Sequence, residues 1–313
     1  MANQIPKASI LIASYNYADY LGDAIESALA QDYENFEVVV TDDGSTDGSR
    51  DVIQRYVPRV KAIYKANGGL ASSFNSGVRN STGDILFFLD ADDISDRNRL
   101  STVMEQYALH STAEWVFHEQ RRVAKDGRTP IAPEPVPVIK EYDLRNRNYD
   151  FPGVSTSGLS IRREFSAKIF PMPEASGQLI HDNYMKFATV LMAPGVYLGR
   201  ALGSLRIHGR NDSSGGQPLP MKLHCDIMMA LALRCRHPQL TYFTSKLASG
   251  TAASAWTWGD GGKPVKSLYE EYLHTLSFPA RMELRAATTL RMIRNRIIGP
   301  TERSHGSTAP THS

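Results

Sequence analysis

Two short apolar runs that each end in clustered aspartates constrain this chain most. The first, Phe36-Glu37-Val38-Val39-Val40-Thr41, is followed by Asp42-Asp43-Gly44-Ser45. The second, Ile85-Leu86-Phe87-Phe88-Leu89, is followed by Asp90-Ala91-Asp92-Asp93. A strand buried on both faces of a parallel sheet reads as a continuous apolar run. In an open α/β sheet, ligands bind beyond the carboxyl ends of the strands. Carboxylates crowded there repel one another unless a cation or hydrogen-bond donors offset the charge. The pattern therefore predicts a metal-assisted site for a phosphorylated ligand.

The rest of the first half alternates in period. Ser9 to Ile12 reads as a strand, Asp19 to Gln31 as a helix with Leu21, Ala24, Ile25, Ala28 and Leu29 on one face, and Phe36 to Thr41 as a second strand. Ser45 or Thr46 can cap a short helix whose apolar side is Val52, Ile53, Tyr56 and Val57. A strand over Val60 to Tyr64, a helix through Leu70, Phe74 and Val78, a strand over Asp84 to Leu89, a helix from Asp96 and a strand over Ala113 to His118 follow. Such alternation predicts a doubly wound, mostly parallel sheet. It fades after His118, where Pro130 to Pro137 is irregular. A strand over Val154 to Ile161, a helix or turn over Arg162 to Phe170 and a helix over Asp182 to Met192 are expected beyond it. From Leu219 the pattern is helical, and Met282, Ala286, Leu290, Ile293 and Ile297 recur at helical spacing. The chain thus divides into a catalytic-type domain over 1–218, a helical extension over 219–300 and a polar, disordered tail over 301–313.

Composition removes several classes. At 42% hydrophobic and 22% charged residues the chain can bury a core, and a formal charge of +2 gives no strong field for nucleic acid. Two cysteines, Cys225 and Cys235, make neither a disulfide scaffold nor a cysteine zinc site. Ser9 to Ala13 is too short for a signal-peptide core, and no apolar run reaches the length of a spanning helix. A reducing cytoplasm is the expected compartment.

Each motif has a plain structural reading beside the functional one. Tyr15, at the end of the first strand, can stack on a base or close the edge of the core. Asp42-Asp43 can cap a helix, but one carboxylate suffices for that, leaving the other to accept a nucleobase imide N–H. On an extended segment Asp90 and Asp92 point to one side and could hold Mg²⁺ or Mn²⁺ with diphosphate oxygens; the alternative is a solvated acidic turn. Asp182 alone reads as a cap or a surface charge. His208, flanked by Arg206 and Arg210, reads as a structural histidine or part of an anion-binding loop, and Ser157 as a sugar contact or part of a turn.

Order and spacing add to these motifs. Ser9-Ile10-Leu11-Ile12-Ala13-Ser14-Tyr15-Asn16, Asp42-Asp43-Gly44-Ser45-Thr46-Asp47, Asn67-Gly68-Gly69-Leu70 and Asp84 through Asp93 together resemble the family 2 glycosyltransferases with the GT-A fold. The resemblance is close over roughly the first 110 residues and looser to Ser214. It implies a GT-A, Rossmann-like, mostly parallel sheet with helices on both faces, ahead of the helical extension. It also implies an inverting, metal-dependent transferase that moves a sugar from a nucleotide-diphosphate donor, UDP-linked first, to an acceptor hydroxyl. The acceptor would be a polysaccharide, a lipid-linked glycan or a protein.

By that resemblance Tyr15 stacks on the base and Asp43 receives its imide N–H, with Asp42 beside it; Ala13, Asn67, Gly69 and Ala91 line the nucleotide. Asp90 or Asp92 holds the ribose, and Asp92 or Asp93, with His208, holds Mn²⁺ or Mg²⁺. Asp182, in His181-Asp182, is the general base, and Arg206, Arg210 and Ser157 lie near the diphosphate or donor sugar. Two departures stand out: Ser73-Phe74-Asn75 replaces the common Ala-Arg-Asn, and His181 replaces an acidic residue. A nucleotidyltransferase would need a glycine-rich phosphate loop after the first strand, which Ser14-Tyr15-Asn16-Tyr17 does not supply. A non-catalytic scaffold on the same core would not need the intact Asp-Ala-Asp-Asp run. The arginine-rich last helix, with Arg281, Arg285, Arg291, Arg294 and Arg296, is expected to pack on the core; the alternative is peripheral contact with an anionic inner membrane face.

Overall fold

The computed structural model describes residues 5–143, 155–174, 183–209, 219–259 and 262–298. The chain divides into two compact units, Met1–Gly215 and Gly216–Ser313.

The first unit is built on a nine-stranded mixed sheet. Strands β1 (Ala8–Ser14), β2 (Phe36–Asp42), β3 (Lys61–Tyr64) and β4 (Ile85–Asp90) form its parallel half in the order β3-β2-β1-β4. They are joined by α1 (Ala18–Leu29), α2 (Ser49–Gln54) and α3 (Gly69–Asn80). Every residue of β1 is buried, as its uninterrupted apolar run requires. Tyr20, Leu21, Ala24, Ile25 and Ala28 form the buried face of α1. Leu21, Ala24, Ile25 and Ala28 share one core with Ile10, Ile12, Val38, Val40, Phe87 and Leu89. Register places Ala13 beside Asp90 and Ser14 beside Asp42, so the three strand ends open at one level.

The other half is less regular. It contains β5 (Ile94–Ser95), α4 (Arg99–Leu109), β6 (Trp115–Val123), β7 (Ile139–Tyr142), β8 (Leu159–Arg162), α5 (Arg163–Ser166), α6 (Asn183–Met192) and β9 (Gly195–Arg206). Strand β8 runs antiparallel between β4 and β6, and β9 runs parallel to β6. The long β9 carries no strand signal in the sequence because glycines interrupt it. A Cβ at Gly195 would lie 2.1 Å from the Trp115 ring, and one at Gly203 2.7 Å from the Ile94 carbonyl. Glycine stands at both places because a neighbouring strand or ring presses on the backbone.

The second unit comprises α7 (Leu219–Arg236), α8 (Thr241–Trp258), α9 (Gly262–His274) and α10 (Phe278–Ile298) around Leu223, Ile227, Ala230, Ala248, Ala252, Tyr269 and Tyr272. Its buried phenols are satisfied: Tyr272 meets Thr244 at 2.8 Å, and Tyr269 meets Thr288 at 2.6 Å. The side that α10 buries carries Leu284, Thr288 and Asn295, while Met282, Leu290, Ile293 and Ile297 are exposed.

Candidate active site

Beyond the ends of β1 and β2 three loops lock together. Asn16 takes a left-handed conformation (φ 58°), which asparagine tolerates better than most residues. Its side-chain oxygen accepts from the amides of Thr46 (2.8 Å) and Asp47 (3.3 Å), and its own amide donates to Ser45 Oγ (2.9 Å). This reversal leaves the Tyr15 ring in solvent, 45% exposed, on the open side of the strand ends.

Asp42 and Asp43, adjacent on an extended backbone, turn to opposite sides. Asp42 is buried and accepts from Arg50 Nε (2.8 Å) and the Ser45 amide. Asp43 accepts from the amides of Gly68 (3.0 Å) and Gly69 (2.7 Å) and from Lys65 Nζ. A carboxylate offers about four acceptor positions, so Asp43 retains capacity for one more donor. Gly44, at φ +78°, completes the junction: a Cβ there would lie 2.7 Å from the Asn67 amide nitrogen. Asn67 and Gly69 are both exposed at this rim.

The Asp-Ala-Asp-Asp segment is a turn, not the extended strand that its spacing suggested. The Asp93 amide bonds back to the Asp90 carbonyl at 3.2 Å, which sends Asp92 and Asp93 to different places. Asp92 Oδ2 faces His208 Nε2 at 2.9 Å. The His208 ring stacks on Tyr20 (centroids 4.4 Å apart) and meets Tyr17 edge-on at 6.0 Å, so two aromatics of the α1 region fix its orientation. Asp93 is fully buried and accepts from Ser157 Oγ (2.6 Å), Gln120 Nε2 (3.3 Å) and the Arg206 amide (3.2 Å). Burial, and then the charge of Asp92, push the Asp93 carboxyl well above the usual carboxylate range. Ala91 is buried beneath the turn, and Asp90 is half-buried at its mouth.

Two side chains expected at the donor are engaged with protein groups. The Arg206 guanidinium pairs with Asp23 (2.7 Å), bonds the Lys125 carbonyl (3.3 Å) and lies over the Tyr20 ring. Ser157 Oγ bridges the Asp90 amide (2.9 Å) and the Asp93 carboxylate, which ties strand end to turn. Asp182, His181 and Arg210 lie outside the described residues.

Several site residues left no functional mark in the sequence. Arg99 is fully buried below the acidic turn. It donates to His118 Nε2 (2.9 Å), Ser95 Oγ (3.1 Å) and the Phe88 carbonyl (2.9 Å). Burial draws its guanidinium down to about 9, against the opposing pull of Asp93, Asp90 and Asp96. His118 accepts that bond on Nε2, so its proton sits on Nδ1, 2.8 Å from the Glu119 carbonyl. Burial, and then the Arg99 charge, pull His118 down to about 3. Because this lies below the unfolded value, the unfolded chain takes up the proton first, and stability falls as pH drops from about 6.5 towards 3. The raised Asp93 carboxyl acts in the opposite sense, because there the folded chain takes up the proton first. Relative to His118→Gln, the wild type should lose about 2 kcal/mol more between pH 7 and pH 5 in urea titrations; equal slopes in the two would assign the dependence to other groups. Lys65 carries the one legible signal of this set, a cation two residues before the Asn67-Gly68-Gly69 turn.

Asp92 and His208 make a donor set that fits a hard divalent ion: a carboxylate oxygen and an imidazole nitrogen converge, with the ring held by Tyr20. Among the described residues no group of three or more His, Cys, Asp or Glu side chains converges to hold a metal. The remaining coordination positions would fall to ligand oxygens and water, as is usual where Mg²⁺ or Mn²⁺ binds a diphosphate.

A parallel half-sheet with an exposed aromatic, a clamped carboxylate and a carboxylate–imidazole pair at its strand ends defines a nucleotide-type α/β site. Residues 9–170 match the sequence profile of Glycosyl transferase family 2, and the chain belongs to that family. An uncharacterized glycosyltransferase of Nostoc sp. is 35% identical over 215 residues, 66% of each chain. The chain spans only 30% of the length of two Rickettsia relatives that it matches at 40% identity. Among solved structures it is similar to Staphylococcus aureus TarS 1-349 in complex with UDP-GlcNAc, with a TM-score of 0.64 at 16% identity, covering 91% of this chain and 89% of that one. It is also similar to a Pyrobaculum calidifontis mannosyltransferase in complex with GDP-Man and Mn²⁺, with a TM-score of 0.52 at 16% identity, covering 95% and 89%. These likenesses establish the GT-A-like fold: a mixed, mostly parallel sheet followed by helices.

Proposed function

We propose that the protein transfers a sugar, with inversion, from a UDP-linked donor to an acceptor hydroxyl in polysaccharide or other glycoconjugate synthesis. The observation that carries this reading is the convergence of Tyr15, Asp43 and the Asp92–His208 pair beyond neighbouring ends of one parallel half-sheet. Tyr15 stacks on the base. Asp43, held by Gly68 and Gly69, takes the imide N–H with its remaining acceptor position. Asp90 at the mouth holds the ribose. Asp92 and His208 hold Mn²⁺ or Mg²⁺, which when bound neutralises charge on the departing diphosphate. UDP-GlcNAc bound to TarS, and GDP-Man with Mn²⁺ bound to the mannosyltransferase, support the donor class.

The acceptor hydroxyl is a weak nucleophile and needs a base within hydrogen-bond reach. We assign that proton to Asp182. Removing it from the face opposite the leaving group lets the oxygen attack the anomeric carbon as the bond to the diphosphate breaks. Asp182→Asn should lower turnover about a hundredfold while UDP affinity stays at the wild-type value. Unchanged turnover would remove Asp182 from this role.

The whole reading is tested by nucleotide release across a panel of UDP- and GDP-sugars, with calorimetry of UDP and Mn²⁺ alongside. UDP release above the GDP background, with metal-dependent UDP binding, is the expected result. No release from any donor, with no metal-dependent binding, would sink it.

A further inference from the structure

We propose that the C-terminal helical unit binds anionic phospholipid, with a basic cavity between α8 and α10 receiving the headgroup phosphate and the apolar stripe of α10 lying at the acyl boundary. The proposal does not rest on the transfer reading.

Helix α10 is turned inside out for a packed helix. Residues three, four and seven apart share a face, and the face it buries carries Leu284, Thr288 and Asn295, two of them polar. The apolar stripe lies on the other side: Phe278, Met282, Leu290, Ile293 and Ile297 are 73%, 53%, 66%, 51% and 79% exposed. Helical spacing places Arg281, Arg285 and Arg296 along one flank of this stripe and Arg291 and Arg294 along the other. Glu283 is the only acidic residue of the helix. Arg285 pairs with Glu270 (2.8 Å) and Arg281 bonds the Leu276 carbonyl (2.9 Å), which leaves Arg291, Arg294 and Arg296 to border the stripe. Large apolar side chains bordered by arginines are the pattern of a helix lying in a bilayer interface, where long basic side chains reach the headgroups.

The cavity gives the surface a specific feature. It has a volume of about 330 Å³ and is lined by Lys246, Gly250, Ala253, Arg291, Arg294 and Asn295, with no carboxylate among them. Gly250 makes room for the arginine: a Cβ there would lie 3.4 Å from Arg291 Nη1. Three cations around one opening suit a phosphodiester oxyanion, and guanidinium groups bind it in a bidentate fashion. A second copy of this chain fits less well. In a two-fold dimer the patch would meet itself, setting arginines against arginines.

The full chain is to be sedimented with vesicles of phosphatidylcholine alone and of phosphatidylcholine with about 30 mol% phosphatidylglycerol. Binding to the anionic vesicles only, weakened by salt, is expected. The variant Arg291→Gln/Arg294→Gln should bind about thirtyfold more weakly, and Ile293→Ser/Ile297→Ser should lose binding at unchanged helical circular dichroism. Lys246→Gln alone serves as a milder version if the arginine variant misfolds. Equal binding to both vesicle types, or to neither, would overturn the proposal. So would thermal stabilisation by inorganic phosphate without vesicle binding, which would mark a free-phosphate site. Concentration-dependent dimerisation lost in Ile293→Ser/Ile297→Ser would assign the stripe to a second copy and overturn it too.

Discussion

Asp92→Asn is expected to lower donor-dependent turnover by about three orders of magnitude with a melting temperature close to that of the wild type. The asparagine keeps the volume of the side chain and can still hydrogen-bond His208 Nε2, so the turn and the ring stack on Tyr20 are preserved. What disappears is the negative charge that would share a divalent ion with His208. The accompanying measurement is Mn²⁺ affinity in the presence of UDP, which should fall with turnover. His208→Gln should reproduce the loss of metal affinity. Wild-type metal affinity in both variants would remove the pair from the proposed metal site.

Asp93→Ala should behave differently. Its carboxylate accepts from Ser157, Gln120 and the Arg206 amide, and truncation strands three buried donors. A loss of about 2 kcal/mol in urea unfolding is expected, whereas an unchanged midpoint would contradict this structural role.

Arg99→Met should be the most damaging substitution for stability, by about 3 kcal/mol or more. Methionine fills part of the space but leaves His118 Nε2 and the Phe88 carbonyl without their donor. It also removes the buried cation whose field acts on Asp90, Asp93 and Asp96. Arg99→Lys is not a rescue, because one ammonium cannot span Phe88, Ser95 and His118 as the guanidinium fork does. Equilibrium urea unfolding at pH 7 measures the loss. A midpoint matching the wild type would show that the carboxylates are balanced from elsewhere.

The parallel half of the sheet was legible because β1, β2 and β4 are continuous apolar runs, and α1 keeps its apolar residues on one face. The other half was not. Strand β9 owes its glycines to Trp115 and Ile94, which are distant in sequence, and β8 is held antiparallel by two neighbours that no local pattern names. At the site, the residue types were readable but their directions were not. Period-two alternation assumes an extended segment, whereas the chain turns at Ala91-Asp92 and the Asp93 amide bonds back to the Asp90 carbonyl. Arg206 looked like an anion ligand because it precedes His208, yet Asp23 and Tyr20 claim it from α1. Tyr17 and Tyr20 were invisible as site residues, since their partner His208 lies far along the chain.

The junction around Gly44 has a thermodynamic consequence. Asn16 fastens the Tyr15 turn to residues 45–47, Gly44 presses on Asn67, and Asp43 grips Gly68 and Gly69. Ordering of these segments is settled before any nucleotide arrives, so docking of a base forfeits little chain entropy there. Discrimination between uracil and a larger purine then becomes a matter of fit against a fixed frame, not of how far that frame yields.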